Sequence, residues 1–386
     1  MRVPEEFDEI RPYEPEEVQQ VLHELIEDRQ LNLVIQNQIP FIPKFIRKGI
    51  LKLACKGIHS TLDFQKRYMR PIMDYIIFRS TSKCTFAGHP APDKSGRYTF
   101  ISNHRDIVLD SAILDIHLFR QGYPTTVEIG IGDNLLIYPW IKKLVRLNKA
   151  FTVRRGLSPR ELLQSSQLMS KYIHFAVNEK QECVWLAQRE GRAKDSSDNT
   201  QESVLKMLAM GGEGTLAERI KHLHIVPLTI SYEYDPCDYL KAKEFQLKLD
   251  NPNYKKSRQD DLDNMSMGID EQKGHVHYEC APCVDTWIDE LADLPKNEFF
   301  PALAKRMDKE IHKGYKLFSC NYVAAHLLRG GYEDKFTEKE KLKFEKYLQS
   351  RLDKIDLENK NEKFLRERIL TMYANPVFNK EAALAE

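Results

Sequence analysis

The sequence predicts an α/β fold, a sheet flanked by helices, with a helical extension at each end. Two observations carry this prediction. From about residue 84, apolar strand-like segments alternate with segments whose apolar residues recur every three or four positions. Before residue 84, and again after Trp287, the pattern is helical. We therefore expect a helical extension over 1–83, an α/β domain from residue 84 and further helices after it.

Composition excludes several classes of protein. The 386 residues, 42% hydrophobic and 30% charged, can form a sizeable core. With 58 Lys and Arg against 57 Asp and Glu, the formal charge of +1 gives no general attraction to nucleic acid, so we expect no nucleic-acid partner. The seven cysteines are scattered, and the sequence has neither a secretory signal nor an apolar run of about 18 residues. These features favour a cytoplasmic protein.

The N-terminal extension contains a basic amphipathic pattern over residues 41–58, "FIPKFIRKGILKLACKGI". A lysine recurs at every fourth position, and the opposite side is apolar. Such helices lie on anionic bilayers, so we expect an anionic membrane surface as a partner and a peripheral position on the inner face of a membrane. The alternative is that the apolar side packs on the α/β domain. The lysines are Lys44, Lys48, Lys52 and Lys56, and the apolar residues are Ile42, Ile46, Ile50 and Leu53.

Within the α/β domain, apolar runs predict five strands and the periodic segments predict helices. Residues 249–272 are polar and turn-rich, which predicts a long exposed loop or insertion. The helical segments are 113–121, 158–177 and 200–210. The strands are Tyr98–Ser102, Thr125–Ile131, Glu182–Ala187, His224–Tyr232 and His275–Cys280.

The candidate site follows the first of these strands, in "YTFISNHRDIVLDS". A strand that ends at Ser102 and a helix that begins near Asp106 put His104 at the carboxyl end of the strand, where ligands bind in α/β sheets. An imidazole beside a carboxylate suits a general base. Asp110 could supply that carboxylate. The alternative is that Asp106 only caps the helix while His104 makes an ordinary hydrogen bond.

Four ordered segments favour the catalytic interpretation. The first, "TFAGHPAPDKSGRYTFISNHRDIVLDS", ends in an Asn-His pair followed by Asp; in "EIGIGDNLLIYPWIKKLVRLNKAFTVRRG" arginines follow a Phe-x-Val strand. In "CVWLAQREGRAKD" a strand runs into Glu-Gly and arginine, and in "LHIVPLTISYEY" one proline interrupts a strand. Together they resemble the bacterial glycerolipid acyltransferase family, the enzymes that acylate glycerol 3-phosphate or lysophosphatidic acid. The resemblance covers about residues 84–330 and implies a mixed sheet flanked by helices in an acyltransferase domain. Residues 331–386 are then a helical C-terminal extension.

The resemblance also implies roles for the residues of the first segment. His104 would accept the proton of the acceptor hydroxyl as that hydroxyl attacks a thioester. In the family four residues separate the His from its Asp, whereas here five residues separate His104 from Asp110. We favour Asp110 as the carboxylate that orients His104, with Asp106 as the substitute.

The other segments imply an acceptor site. Arg154 or Arg155 would hold the phosphate of the acceptor, together with the group formed by Glu190, Gly191 and Arg192. The family usually has one residue between Glu-Gly and Arg, and this chain has none, so Lys194 could share the task. Pro227 would shape a wall of the cleft.

The family likeness implies transfer of a fatty acyl group, in phospholipid synthesis, from an acyl-CoA or acyl-carrier-protein thioester to a hydroxyl of lysophosphatidic acid. Glycerol 3-phosphate or an acylated amino-acid lipid are alternative acceptors. A catalytically silent lipid-binding protein of the same fold is an alternative of another class. The thioester is a substrate, and no cofactor is expected.

A metal interpretation of "HVHYECAPCVD" is less favoured. His275, His277, Cys280 and Cys283 are residue types that bind zinc. The sequence has no second Cys-x-x-Cys. We expect a strand followed by a turn here, and no metal.

Overall fold

A computed structural model describes residues 2–38, 44–88 and 94–385, without the side chains of residues 35, 37, 38 and 44–47. The strands are β1 Lys83–Ala87, β2 Thr99–Ser102, β3 Val127–Gly132, β4 Ala150–Val153, β5 Cys183–Ala187, β6 Ile225–Tyr232 and β7 His275–Cys280. Helices α1 to α8 are Pro15–Glu27, Arg29–Gln38, Lys44–Cys55, Thr61–Phe64, Arg70–Ser80, Leu109–Gln121, Pro139–Leu147 and Pro159–Asn178. Helices α9 to α16 are Glu202–Leu208, Leu216–Lys221, Asp238–Asp250, Arg258–Asp270, Lys296–Lys313, Ser319–Arg329, Glu338–Asp353 and Glu362–Ala385.

The strands form one mixed sheet in the order β1-β7-β6-β2-β5-β3-β4. Only β6 and β7 pair antiparallel, and every other neighbouring pair in this sheet is parallel. The predicted α/β fold with a mixed sheet flanked by helices is therefore confirmed. Strand β2 lies between β5 and β6, so the residues that follow it emerge at the middle of the carboxyl edge.

The sheet is covered on both faces, as alternation along β2 shows. Phe100 belongs to an apolar cluster with α5 and α6, and Ile101 belongs to a cluster with α8 and α13 on the other face. Both side chains are completely buried. Because a parallel strand covered on both faces is a continuous apolar run, these strands are visible in the sequence.

The last helix, α16, packs on helices of the predicted acyltransferase domain. A separate apolar cluster joins Leu365 and Ile369 of α16 to Val323 of α14. Further along α16, the Asn375 side chain donates to the Asp195 carbonyl over 2.7 Å, and Asn379 donates to the carbonyls of residues 196 and 197, each over 3.2 Å. The division at residue 330 stays a prediction, and buried contacts cross it.

In the N-terminal extension, α3 turns its described lysines toward α1. Lys48 pairs with Glu27, and the Lys52 ammonium lies 3.1 Å from the same carboxylate. These lysines lower the pKa of Glu27 to about 2. Ile50 and Leu53, in contrast, are 54% and 72% exposed. The apolar side of α3 is therefore open where the structure describes it.

Residues 41–43 of the predicted amphipathic helix lie outside the described residues, as do the side chains of Lys44 and Ile46. Among the described residues, no helix is both long enough and apolar enough to cross a membrane.

The prediction of an exposed loop over residues 249–272 was wrong. Residues 258–270 form α12, which begins at a capping box between Ser257 and Asp260. Two residues on the helix, Asn264 and Gly268, are buried. The buried side of α12 presents a polar residue and a very small one. The sequence therefore shows no apolar periodicity over this helix, and the helix could not be predicted from that pattern.

Candidate active site

The structure brings His104 and Asp110 together at the carboxyl edge of the sheet. The Nδ1 atom of His104 lies 2.8 Å from Oδ2 of Asp110. The Asp110 side chain is 1% exposed, and that of His104 is 13% exposed. Among the described residues, Nε2 of His104 has no hydrogen-bond partner. One ring nitrogen is therefore engaged by a carboxylate, and the other is left for a ligand.

Asp110 reaches His104 because α6 begins later than the sequence predicts. The helix starts at Leu109 rather than near Asp106. Oδ2 of Asp110 also accepts the backbone N–H of Arg105 over 2.7 Å and that of Asp106 over 3.0 Å. The carboxylate thus closes the turn between β2 and α6, and the additional residue is absorbed in that turn.

Asp106 is used differently. Its Oδ1 accepts the backbone N–H groups of Val108 and Leu109, each over 2.8 Å, and so caps α6. Its Oδ2 has no hydrogen-bond partner among the described residues and faces Gly268 of α12, where an added Cβ would lie 2.0 Å away. Burial raises the pKa of Asp106. Of the two carboxylates, only Asp110 contacts the imidazole.

An aromatic side chain on β5 packs against the imidazole. The rings of Trp185 and His104 meet edge to face with centroids 5.7 Å apart. The indole N–H donates to Oγ of Ser102 over 3.0 Å. This contact restricts the rotation of His104, and no motif in the sequence singled Trp185 out.

The predicted phosphate-binding arginines lie at the neighbouring strand ends but do not converge. Arg154, half exposed, pairs with Glu9. The Arg155 guanidinium lies 2.6 Å from the Glu190 carboxylate, and its backbone N–H donates to Asp133 over 3.1 Å. The structure therefore joins Arg155 to Glu190 and holds Arg154 on the N-terminal segment.

Arg192 points to α12. One end of its guanidinium donates to Oδ1 of Asn264 over 2.8 Å, and Nη1 has no partner among the described residues. Gly191 adopts a φ of 67°, a left-handed conformation that turns the chain after β5. Lys194, the other candidate, lies 2.7 Å from Glu244. Without the spacer residue, Arg192 follows Gly191 directly, and its side chain points into the fold toward α12.

Pro227 is buried within β6, in register with Ile101 of β2. Its carbonyl accepts the backbone N–H of Ala281 over 2.9 Å. Pro227 thus lies inside the sheet, three residues before Ile230. The backbone N–H of Ile230 donates to Asn103, the residue before His104. A role for Pro227 in the wall of a cleft stays a prediction.

Two open cavities flank Asp133, just after β3. One, of about 450 Å³, is lined by residues that include Lys142, Arg146 and Arg154. The other, of about 340 Å³, is lined by residues that include Lys256 and Arg258 near the start of α12. Both place cationic side chains beside the strand ends.

The two histidines of β7 face away from the cysteines. Nε2 of His275 and Nδ1 of His277 each lie 2.7 Å from Oγ1 of Thr85 on β1. Cys280 and Cys283 belong to the apolar cluster around α6. The four residues therefore do not share one side of the sheet.

A buried ion pair next to the histidine could not be predicted from the sequence. Nη2 of Arg105 lies 2.6 Å from Oδ2 of Asp198, a residue in the loop after β5. Both side chains are at least 94% buried. Asp198 lies in the polar run "KDSSDNT", which resembles an ordinary surface loop and carries no signal of this contact.

Comparisons with known proteins add little. No family model and no curated protein matches this chain. Among solved structures, the chain is similar to the 1-acyl-sn-glycerophosphate (LPA) acyltransferase PlsC from Thermotoga maritima, with 10% sequence identity and a TM-score of 0.37, over 75% of this chain and 95% of that one. Because this TM-score is low, we draw no argument about fold or activity from the likeness.

Proposed function

We propose that the protein is an O-acyltransferase that moves a fatty acyl group from an acyl-CoA or acyl-carrier-protein thioester to lysophosphatidic acid or a related phosphoglycerol acceptor. The observation that carries the proposal is the contact of 2.8 Å between His104 and Asp110, in a turn that follows the central parallel strand. The four segments quoted above supply the substrate class.

In this proposal the acceptor hydroxyl gives its proton to Nε2 of His104 while its oxygen attacks the thioester carbonyl carbon. Asp110 holds the imidazole with a proton on Nδ1 and stabilises the imidazolium that forms. Collapse of the tetrahedral intermediate breaks the carbon–sulfur bond. The thiolate takes the proton from the imidazolium, so the products are an ester and a free thiol, and no covalent acyl-enzyme is needed.

Arg155 is the best-placed residue for the acceptor phosphate. It follows β4 at the same edge of the sheet as His104, and 35% of its side chain is exposed. A guanidinium fork binds phosphate as well as carboxylate, and Glu190 is exposed, so a phosphate-bearing ligand could displace it. Arg154 would assist Arg155 in holding the phosphate, because its partner Glu9 is also exposed.

We also propose that the protein takes its lipid substrate at a membrane surface through α3. Apolar residues that face solvent on this helix, Ile50 and Leu53, are suited to insertion among lipid chains. The described lysines Lys48 and Lys52 already pair with Glu27, so their electrostatic contribution to binding is reduced. Apolar insertion then contributes more than charge.

The function is tested with purified full-length protein, palmitoyl-CoA or palmitoyl-carrier protein as donor, and a panel of acceptors. The acceptors are lysophosphatidic acid, glycerol 3-phosphate and an N-acylated amino acid. We expect release of free thiol together with an acylated product, fastest with lysophosphatidic acid. If no donor and acceptor pair reacts while lysophosphatidic acid still binds, the protein is a silent lipid-binding protein and the proposal is wrong.

The membrane proposal is tested by vesicle flotation. Leu53→Asp should abolish binding to anionic vesicles without changing the melting temperature, because the side chain is exposed in the free protein. The matched control, Lys52→Gln, changes a charge one residue away. It should weaken flotation only slightly, because Lys52 already pairs with Glu27 and so contributes less than the usual value of about 1 kcal/mol for a near-surface charge. Normal flotation of Leu53→Asp would contradict the proposal, and a sharp drop in its melting temperature would show that the residue belongs to the core.

A further inference from the structure

Both neighbours of His104 in the sequence are anchored inside the protein. The Asn103 side chain is completely buried; its Nδ2 donates to the Ile230 carbonyl over 3.0 Å, and its Oδ1 accepts the Ile230 N–H over 2.8 Å. Arg105 donates its backbone N–H to the same Asp110 oxygen that contacts His104. The backbone on each side of the imidazole is thus tied to β6 or to α6.

One carboxylate oxygen connects these two anchors. Oδ2 of Asp198 lies 2.6 Å from Nη2 of Arg105 and accepts from Nδ2 of Asn103 over 3.3 Å. The Tyr315 hydroxyl donates to the same oxygen over 2.5 Å. Asp198 is completely buried and adopts a φ of 47°. A non-glycine residue in this left-handed conformation is strained, so the surrounding contacts must hold it in place.

The conformation of Asp198 is supported from outside the turn. Nε2 of His312 lies 3.1 Å from the Asp198 carbonyl oxygen. Side chains of α16 donate hydrogen bonds to the carbonyls of residues 195, 196 and 197, the three residues before Asp198. The other carboxylate oxygen, Oδ1, has no partner among the described residues. All the hydrogen bonds of the carboxylate with described residues therefore go to Oδ2. This oxygen contacts Tyr315 and the two residues beside His104 in the sequence, Asn103 and Arg105.

We propose that Asp198 is a positioning residue for His104. By holding Asn103 and Arg105 at once, it fixes the segment that carries the imidazole, so that Nδ1 stays on Asp110 and Nε2 faces the acceptor hydroxyl. This inference rests on the proposed acyl transfer for its kinetic consequences, although the geometry of the imidazole can be followed without any activity.

The main test is Asp198→Asn, which keeps the shape of the side chain and removes its charge. We expect kcat to fall by about tenfold to a hundredfold, because a displacement of about 1 Å at a catalytic group has effects of this size. The Michaelis constants of both substrates should change by less than twofold. The control is Asp308→Asn: that carboxylate accepts two hydrogen bonds from Thr200, in the same loop, but is not bonded to either neighbour of His104. It should leave kcat nearly unchanged.

A second readout needs no turnover. The proton between Nδ1 of His104 and Asp110 should give a low-field resonance in the proton NMR spectrum, absent in His104→Ala. In Asp198→Asn the resonance should broaden or disappear, and in Asp308→Asn it should persist. If the parent protein shows the resonance but no acyl transfer, the proposed function fails and the positioning role is still tested.

Removal of the charge from Asp198 leaves a buried guanidinium without a counter-ion, which can prevent folding. Tyr315→Phe avoids this, since it removes one donor to Oδ2 and leaves the ion pair with Arg105 intact. We expect about a threefold loss of kcat and a broadened resonance. If neither variant changes the resonance, or if both behave like Asp308→Asn in turnover, Asp198 only supports folding and the inference is wrong.

Discussion

His104 lies in a turn whose polar groups are bonded inside the fold, whereas Arg154 and Arg155 lie near the surface and pair with exposed carboxylates. Around His104, Asp110 alone receives two backbone N–H groups and the imidazole. Around Arg155, the partner Glu190 is 68% exposed. In the proposed reaction, an imidazole held in this way needs no reorganisation when substrate arrives. An exposed ion pair contributes at most about 1 kcal/mol, so the arginines can exchange a carboxylate for a phosphate at little cost.

The largest effect is expected for His104→Ala. Loss of a general base should lower acyl transfer by about a hundredfold or more. The control is His222→Ala, which should have no effect. His222 is exposed and lies just before β6, at the edge of the sheet opposite the turn. Initial rates of thiol release measure both variants. If His104→Ala turned over normally with an unchanged melting curve, the well-bonded turn would not be where the chemistry occurs.

The next largest difference is expected between substitutions of Asp110 and Asp106, the two carboxylates of the turn. Asp110→Asn should lower kcat by tenfold or more, because an amide can no longer hold the imidazole in the required protonation state. Asp106→Ala should instead cost about 1 kcal/mol of stability, because it removes the acceptor of the first N–H groups of α6, and it should change kcat only slightly. Steady-state kinetics and thermal melting give the two rankings. The reverse order in kcat would assign the orienting role to Asp106.

The packing behind the turn is tested by Gly268→Ala. The added methyl group would lie 2.0 Å from Oδ2 of Asp106, so we expect a loss of about 1–3 kcal/mol in the free energy of unfolding. Gly49→Ala is the matched control in another helix. Outside the backbone of its own helix, no described atom lies within 4 Å of the added Cβ, so the substitution should be neutral or stabilising. Equal melting temperatures for the two variants would mean that α12 does not press on the turn.

The smallest effects belong to the surface arginines. Arg155→Ala should raise the Michaelis constant of a phosphate-bearing acceptor by less than about fivefold, and more than that of the thioester, since an exposed pair contributes about 1 kcal/mol at most. Glu190→Gln should have the opposite sign, because it frees the guanidinium for the phosphate. Acceptor titrations at saturating thioester distinguish them. A rise in both variants would show that the pair itself, rather than Arg155, supports the site.

The sequence predicts the centre of this fold better than its margins. The five predicted strands exist because central strands are buried on both faces and so are apolar throughout. The strands β1 and β4 lie at the two edges of the sheet and are not among the five: β1 is only partly buried, and β4 is visible only as the Phe-x-Val strand of the second quoted segment. Helix α12 is not predicted either, since its buried positions are Asn264 and Gly268.

At the site, the residue types could be predicted but not their choice of partner. The sequence places Asp106 and Asp110 near His104 without deciding between them, because the answer depends on where α6 begins. That point is set by the turn at residues 107 and 108, which the sequence pattern does not fix. Asp198 is separated from His104 by more than ninety positions, and only the pairing of β2 with β5 brings it near.

The hydrogen bonds from α16 to the loop before Asp198 link two parts of the molecule that are far apart in the sequence. Asn375 and Asn379 donate three hydrogen bonds to the carbonyls of residues 195, 196 and 197. When α16 detaches in a local opening, the loop loses these three bonds, and the contact of Asp198 with Arg105 loses its support from outside. The turn that holds His104 is therefore only as resistant to local opening as the docking of α16, and amide hydrogen exchange in the two regions should rise together.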